Sequence, residues 1–321
     1  MIFTLDFPDK ELLEFRLTEN RALIGHVTDT ECRPDITAAF SSDWTENGIT
    51  HWSCAQLAGE KASQGKTKQQ QEQNAISYLH YLLLARPDLY VAHGLLIDPS
   101  KIKFLFGIGG YCIRQLEVSW DDKKLYKLLY GFIYRLYDPG DFVDKSYTRT
   151  GIDWMDGTVE YTVRINTPSK DGVIRPLDCT NFRAISARNP FTTRTLVLSN
   201  ATLQQFQKDV NGKALTVLKD QFCRAGTRFD EERILRGIHR KGMVPGVIEA
   251  VYHETIGNHW SEASKRDKHR FGLRQFGLPF TSIPTPRKVL EVLFDVLEGT
   301  VISVGNILQA YMMTSVTIFA F

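Results

Sequence analysis

The sequence has almost no excess charge and few cysteines. Lysine and arginine total 39, aspartate and glutamate total 37, and the net charge of the 321 residues is +2. So small an excess gives no basis for predicting a nucleic-acid or membrane surface. The five cysteines are odd in number and widely spaced, with neither a metal-ligand spacing nor a disulfide framework. We therefore expect reduced thiols in an intracellular protein, either cytoplasmic or nuclear.

Long apolar runs are also scarce. Residues 1–15 mix acidic with apolar side chains, so no signal peptide is predicted. Only residues 299–321 lack charge over a length that could cross a bilayer. Asn306, Gln309, two glycines and several hydroxyl residues interrupt that run. A tail anchor is therefore the lesser alternative, and we expect an end that is buried or disordered.

Enough apolar material is present for packed domains. Hydrophobic residues make up 43% of the chain and charged residues 24%, which is typical of a protein with a packed core. The length allows two domains, and residues 165–185 are rich in turn-forming and polar residues. We predict an α+β fold in both parts, with a first region over 1–165, a second over 183–308 and an apolar tail over 309–321.

Hydrophobic periodicity predicts the elements of both regions. In the first region apolar residues recur at helical spacing over residues 67–85, and Pro87 ends that helix. The other elements predicted for this region are strands at 35–42, 50–60, 89–98, 101–109 and 111–120, and a helix at 122–137. The elements predicted for the second region are strands at 193–199 and 213–222, and helices at 228–240 and 286–299. The charged segment 261–272 is expected to be exposed.

A lysine and a glutamate in the second region could form a nucleotide site. Lys219 lies in a predicted strand, and Glu231 lies twelve residues later in the next predicted helix. A strand lysine paired with a helical glutamate can hold the α- and β-phosphates of a nucleotide. The spacing permits this pair without requiring it. On these two residues alone, ordinary surface charges are the favoured interpretation.

Residues 185–306 resemble the fungal-type protein kinase family. TVLKDQF (residues 216–222) resembles its lysine strand, and RFDEERILRGIHRKGMVPGV (residues 228–247) resembles its αC helix and following turn. FGLPFTSIPTPRKVLEVLFDVLEG (residues 276–299) resembles the first long helix of the large lobe and the turn before it. The resemblance implies ATP and magnesium as ligands, Lys219 as the phosphate lysine and Glu231 as its partner. Glu232, one residue later, is the alternative partner.

ISVGNIL (residues 302–308) resembles the end of that family's catalytic loop. The resemblance implies that Asn306 is the magnesium-binding asparagine and that Val301 replaces the catalytic aspartate. No aspartate follows Asp295, and residues 184–198, which correspond to the glycine-rich loop, contain no glycine. We therefore expect a kinase domain truncated within its catalytic loop, whose ancestral Ser/Thr phosphotransfer activity is lost because it lacks the acids that such transfer needs. A non-catalytic pseudokinase or binding module is the alternative.

The first region resembles the PD-(D/E)xK nuclease-like fold, which this kinase family commonly carries before its kinase lobe. RPDIT (residues 33–37) enters a predicted strand, and Glu60-Lys61 ends the next one before a glutamine-rich helix. The resemblance implies that Asp35 and Glu60 bind magnesium. Adjacent residues of a strand point to opposite faces, so Lys61 fits the pattern only if a bulge brings it beside Glu60; Lys66 could otherwise substitute for it. Ordinary surface charges are the favoured interpretation, and a magnesium-dependent nuclease is the alternative.

The predicted helix at 286–299 has an apolar face. Its members are Val289, Leu290, Leu293, Phe294 and Leu297. In the kinase family this face packs against the large lobe. Because the chain ends soon after this helix, we expect the face to be exposed and to favour self-association or docking on another protein.

Overall fold

The computed structural model describes most of the chain between residues 11 and 294. The described residues are 11–18, 21–25, 32–63, 65–109, 112–154, 157–168, 174–185, 191–198, 208–210, 213–224, 231–244, 247–256, 266–274, 285–288, 290–291 and 293–294. Val301, Asn306 and the predicted apolar tail lie outside them. Among the described residues, no helix has both the length and the apolar content that a membrane crossing requires.

The first unit is a six-stranded sheet with a helix on each face. Its strands are β1 (Leu13–Leu17), β2 (Ile36–Phe40), β3 (Leu57–Lys61), β4 (Val91–Ile97), β5 (Lys101–Ile108) and β6 (Cys112–Ser119). They lie in chain order, and every neighbouring pair is antiparallel except β3 and β4. That parallel pair requires a crossover connection, which helix α1 (Lys68–Ala85) supplies. Helix α2 (Leu125–Tyr137) covers the other face.

Two apolar cores hold these layers together. Leu79, Leu82 and Leu83, three of the apolar residues that predicted α1, are fully buried against the sheet, whereas Ile76 is exposed. Phe132 and Leu136 of α2 are buried with Phe104 of β5 on the opposite face. The predicted helices and the hairpin of β4 and β5 are confirmed, whereas residues 50–56 form turns instead of extending β3.

The second unit is a seven-stranded antiparallel sheet. Its strands are β7 (Tyr147–Ile152), β8 (Val159–Pro168), β9 (Ile174–Ile185), β10 (Thr193–Leu198), β13 (Val217–Arg224), β14 (Ala250–Ile256) and β15 (Arg266–Leu273). Their order in the sheet is β14-β15-β13-β10-β9-β8-β7. Strands β11 (Lys208–Val210) and β12 (Lys213–Ala214) form a separate ribbon, and helix α3 (Glu231–Ile238) follows β13.

The second sheet begins earlier in the chain than the sequence predicts. In the segment where we placed a joint between domains, residues 165–168 belong to β8 and residues 174–185 form β9, which pairs with it. Val159, Tyr161, Val163 and Ile165 alternate into the core of the second unit. This period of two is the signal of a half-buried strand. The polar, turn-forming composition of the segment led us to predict a joint between domains in place of this strand alternation.

The prediction that residues 261–272 are exposed is wrong for the part of this segment that the structure describes. Residues 266–272 lie in β15, a strand paired on both sides, by β13 and β14. The side chains of Lys268 and Arg270 are 0% exposed. They are buried because acidic side chains from elsewhere in the chain neutralise them.

The two units contact each other through buried hydrogen bonds. Tyr161 of β8 donates its hydroxyl to the Ala85 carbonyl at the end of α1 (2.6 Å), and Arg194 of β10 donates to the Pro87 carbonyl (3.0 Å). His51 Nε2 lies 2.8 Å from the Gly157 carbonyl oxygen. The second sheet therefore packs directly on the first unit.

Candidate functional site

Lys219 and Glu231 meet beside the second sheet. Lys219 lies near the middle of β13, opposite Thr195 of β10 and Phe271 of β15. Glu231 begins the described part of α3, and the Lys219 ammonium donates a hydrogen bond to its Oε2. The structure thus brings together the two residues that the sequence selected.

The neighbouring glutamate makes different contacts. Glu232 is buried and pairs with Arg236 one turn further along α3. Its Oε2 lies 3.9 Å from Nδ1 of His253 on β14. Of the two partners that the sequence left open for Lys219, the structure selects Glu231.

Lys219 lies beside a buried apolar cluster of the second sheet. Side chains at every second position of a strand share a face, so Val217 lies on the Lys219 side of β13. Val197 and Leu273 are directly opposite Val217 on the neighbouring strands, and all three are buried in one cluster with Phe271. The Lys219 ammonium also lies 5.6 Å from the centre of the Phe271 ring. Its side chain is 18% exposed and remains accessible to a ligand.

The apolar neighbours of Lys219 are packed against other side chains, so the Lys219–Glu231 pair is the part of this site that a ligand can reach. An ammonium held by a carboxylate can pair with a phosphate group. The prediction for a magnesium ligand at this site concerns Asn306, which lies outside the described residues.

A second polar cluster surrounds Glu60 in the first unit. Glu60 is 0% exposed in β3, where its Oε1 accepts hydrogen bonds from Lys66 (2.6 Å) and Asn74 (3.0 Å). Its Oε2 accepts the Tyr78 hydroxyl at 2.9 Å. Burial raises the pKa of Tyr78, and the Glu60 charge raises it further, so the phenol stays protonated.

Asp35 lies beside this cluster. The pairing of Ile36 with Gly59 places Asp35 opposite Glu60 on adjacent antiparallel strands. The Asp35 Oδ2 accepts the backbone N–H of Lys61 at 2.9 Å. The hydrogen bond to Glu60 raises the pKa of the Lys66 ammonium, and the charges of Glu60 and Asp35 add to this effect. Lys66 therefore bonds Glu60 and also lies within the electrostatic influence of Asp35.

The fit of a metal to these acids is partial. Both Glu60 oxygens already accept hydrogen bonds, and Lys66 lies where a cation would compete for Oε1. Among the residues the structure describes, no group of three or more histidine, cysteine, aspartate or glutamate side chains is suited to hold a metal ion.

Asn74 and Tyr78 were missed as partners of Glu60. They lie four residues apart and therefore share one side of α1, the crossover helix that starts soon after β3. An amide and a phenol at this spacing on the buried side of a helix indicate a buried acceptor nearby. That signal was available in the sequence.

Comparison with known proteins adds no assignment to this geometry. No model of a protein family matches the chain, and a comparison with curated proteins found no match.

Proposed function

We propose that the second unit is a nucleotide-binding module of the protein-kinase type that binds ATP without transferring its phosphate. The observation that carries this proposal is the pairing of Lys219 with Glu231. In protein kinases the phosphate lysine lies on the third strand of the small lobe, and its glutamate partner lies on the αC helix. The same pair of residue types meets here between a central strand and the helix that follows it.

The strand arrangement gives independent support. β9, β10 and β13 are consecutive antiparallel neighbours, so the lysine lies on the third of these strands. α3 follows β13 in the chain. β15 then pairs with the edge of β13 that β10 leaves open, and β14 pairs with β15. An antiparallel sheet with one main helix is what the family resemblance implies for a small lobe.

The residues at the proposed site account for binding without transfer: Lys219 would bind phosphate, and the residue that should accept a proton is a valine. Its ammonium would pair with the α- and β-phosphates, while Glu231 holds the amine in place. Phosphoryl transfer also requires a carboxylate that accepts the proton of the attacking hydroxyl. Val301 stands where the family has this carboxylate, and a valine side chain cannot accept a proton.

Titration calorimetry of the full chain with ATP, with and without Mg²⁺, tests the proposal. Lys219→Ala should weaken ATP binding by about tenfold to a hundredfold because a charge-assisted contact is lost. Glu231→Gln should weaken it less, since the ammonium remains. Lys101→Ala is the matched control, because Lys101 pairs with Glu117 on the other sheet.

Two outcomes would overturn this proposal. Equal affinity of the wild type and Lys219→Ala would remove the nucleotide site. Phosphate transfer from radiolabelled ATP that disappears in Lys219→Ala would show that the module is catalytic.

The geometry around Glu60 favours a second candidate, a magnesium-dependent nuclease of the PD-(D/E)xK type. Asp35 and Glu60 lie opposite each other, and the Lys66 ammonium reaches Glu60. Two carboxylates could hold a magnesium ion, and a lysine could stabilise the charge that develops on the phosphate. The occupied Glu60 oxygens make this the weaker candidate.

Incubation with single- and double-stranded oligonucleotides in Mg²⁺ or Mn²⁺ tests the nuclease. Cleavage should be lost in Asp35→Asn and Glu60→Gln and kept in Glu72→Gln, which changes an acid of α1 paired with Lys103. Circular dichroism would verify that each variant is folded. Absence of cleavage by the wild type, or cleavage that persists in Asp35→Asn, rules this function out.

A further inference from the structure

A buried cluster of charges joins the two units. The junction cluster consists of Asp144, Tyr147, Asp220, Lys268 and Arg270. Lys268 Nζ lies 2.5 Å from Asp144 Oδ2 and 2.7 Å from Asp220 Oδ2. Arg270 contacts the same two acids at 2.9 Å and 2.8 Å. Two cations thus face two close anions, and Glu254 of β14 is a more distant acid, 3.7 Å from Arg270 Nη1. The side chains of both cations and of Asp220 are 0% exposed.

The aromatic member of the cluster completes its hydrogen bonding. The Tyr147 hydroxyl donates to Asp220 Oδ2 at 2.6 Å, and the Arg270 guanidinium lies 4.6 Å from the centre of the Tyr147 ring. Burial alone would raise the pKa of both acids, but the charges of Lys268 and Arg270 outweigh it and hold the pKa of each below its ordinary value. The acids therefore stay ionised inside the protein.

Asp144 belongs to the cluster but is anchored to the first unit. Its backbone N–H donates to the Asp88 carbonyl at 2.7 Å, and the preceding Val143 forms a bridge with Leu89. The other acid, Asp220, lies on β13, and both cations lie on β15. The contacts of Asp144 therefore connect the first unit directly to β15 and, through Lys268 and Arg270, to Asp220 of β13.

One of these two strands also carries Lys219. Lys219 and Asp220 are consecutive residues of β13, so their side chains leave the strand on opposite faces. Asp220 points into the junction cluster, and Lys219 points toward Glu231 on α3. The pairing of β13 with β10 and β15 sets the face on which Lys219 lies, and holding Asp220 on the opposite face reinforces this orientation.

We propose that Asp144 is a positioning residue that holds β13 and β15 on the first unit and thereby sets the direction of Lys219. Neutralising one member of a buried ion cluster leaves an unbalanced charge, so the strands that carry its partners should separate more readily from the first unit. The consequence for nucleotide binding rests on the proposed function, whereas the effect on the strands does not.

Hydrogen–deuterium exchange of the full chain tests the positioning role. In Asp144→Asn, peptides covering β13 and β15 should exchange at least about tenfold faster, while α1 keeps its wild-type rate. Asparagine retains an oxygen for the hydrogen bond that the Ser146 backbone N–H donates to Oδ1. Asp178→Asn is the matched control, because it breaks an exposed aspartate–arginine pair, with Arg164, in the same sheet.

A milder variant keeps the test decisive if Asp144→Asn does not fold. The Ser146 hydroxyl donates to Asp144 Oδ1 at 2.6 Å and accepts from Arg270 Nη1 at 2.7 Å. Ser146→Ala should therefore accelerate exchange in the same two strands, though less than Asp144→Asn. Unchanged exchange in β13 and β15, or equal acceleration in α1, overturns the positioning role.

ATP titration of the same variants is the second readout. Folded Asp144→Asn should bind ATP at least about tenfold more weakly than Asp178→Asn if Lys219 has lost its direction. A purely structural role would lower the melting temperature and leave the affinity of the folded molecules unchanged. If wild-type binding does not depend on Lys219, the proposed function fails, and the exchange data still decide whether Asp144 positions the strands.

Discussion

At the scale of single residues, His93 is a buried histidine surrounded by phenylalanine rings. It lies in β4, is 4% exposed, and has the rings of Phe106, Phe132 and Phe142 centred 5.5–5.7 Å from its own. Within the described part of the chain, its Nε2 has no hydrogen-bond partner. Burial disfavours the imidazolium, and the nearby charges of Arg86 and Arg135 add to this, so the pKa of His93 falls to about 4.

His93 should make the stability of the protein depend on pH. As the pH falls from 7 to 4, the unfolded chain takes up a proton near the ordinary pKa of about 6.5, while the folded chain takes one up only near 4. The free energy of unfolding should therefore fall by about 3 kcal/mol between pH 6.5 and pH 4 because of His93. In His93→Phe, urea unfolding at several pH values should show a flatter dependence.

His80 provides the comparison for this prediction. It is half-buried on α1, and burial lowers its pKa as well. His80→Phe should remove a smaller part of the pH dependence. A pH slope in His93→Phe that equals the wild-type slope would contradict the assignment to His93.

At the scale of elements, α1 owes its start to a capping box. The Thr67 hydroxyl accepts the Gln70 backbone N–H at 3.2 Å, and the Gln70 side chain accepts the Thr67 N–H at 2.8 Å. These reciprocal bonds satisfy two donors that the first helical turn leaves without partners. They also fix where the crossover helix begins relative to Lys66 and Glu60.

Thr67→Ala should destabilise the protein by about 1 kcal/mol, because it removes the hydroxyl of the cap. Chemical denaturation at constant pH measures this change. Ser77→Ala is the control within the same helix, since the Ser77 hydroxyl bonds only the Gln73 carbonyl one turn back and should contribute little. Equal effects of the two substitutions would show that the cap does not stabilise α1.

At the scale of the whole molecule, the sequence predicted the first unit better than the second. The helix–strand order between residues 67 and 137 follows from periods that can be seen within one segment, and the α+β class is confirmed. In the second sheet, β7 to β9, β14 and β15 were not predicted. Polar, turn-forming residues after β8 outweighed its alternation, and the charges of β15 indicated an exposed segment. The apolar face predicted at 286–299 was expected to be exposed. Leu290, Leu293 and Phe294 are exposed, and the side chains of Val289 and Leu297 lie outside the described residues.

The two candidate sites also differ in how much of their geometry the sequence could predict. Lys219 and Glu231 are twelve residues apart, on a strand and on the helix that follows it, so the sequence could suggest the pair, but only the structure selects Glu231 over Glu232. Their role in binding a nucleotide stays a prediction. To predict that Asp35 lies opposite Glu60, the register of β2 and β3 must be known. To predict that Lys66 reaches Glu60, the path of the chain into α1 must be known.

The sequence by itself determined where local periodicity and capping residues form helices and strands, because those signals act between residues a few positions apart. Only the tertiary structure decided that Lys268 and Arg270 are buried. Their partners Asp144 and Asp220 lie up to 126 residues away in the chain. Burying a charge is costly unless an opposite charge or hydrogen bonds compensate it, and for Lys268 and Arg270 the compensating acids are brought near only by the assembled sheets.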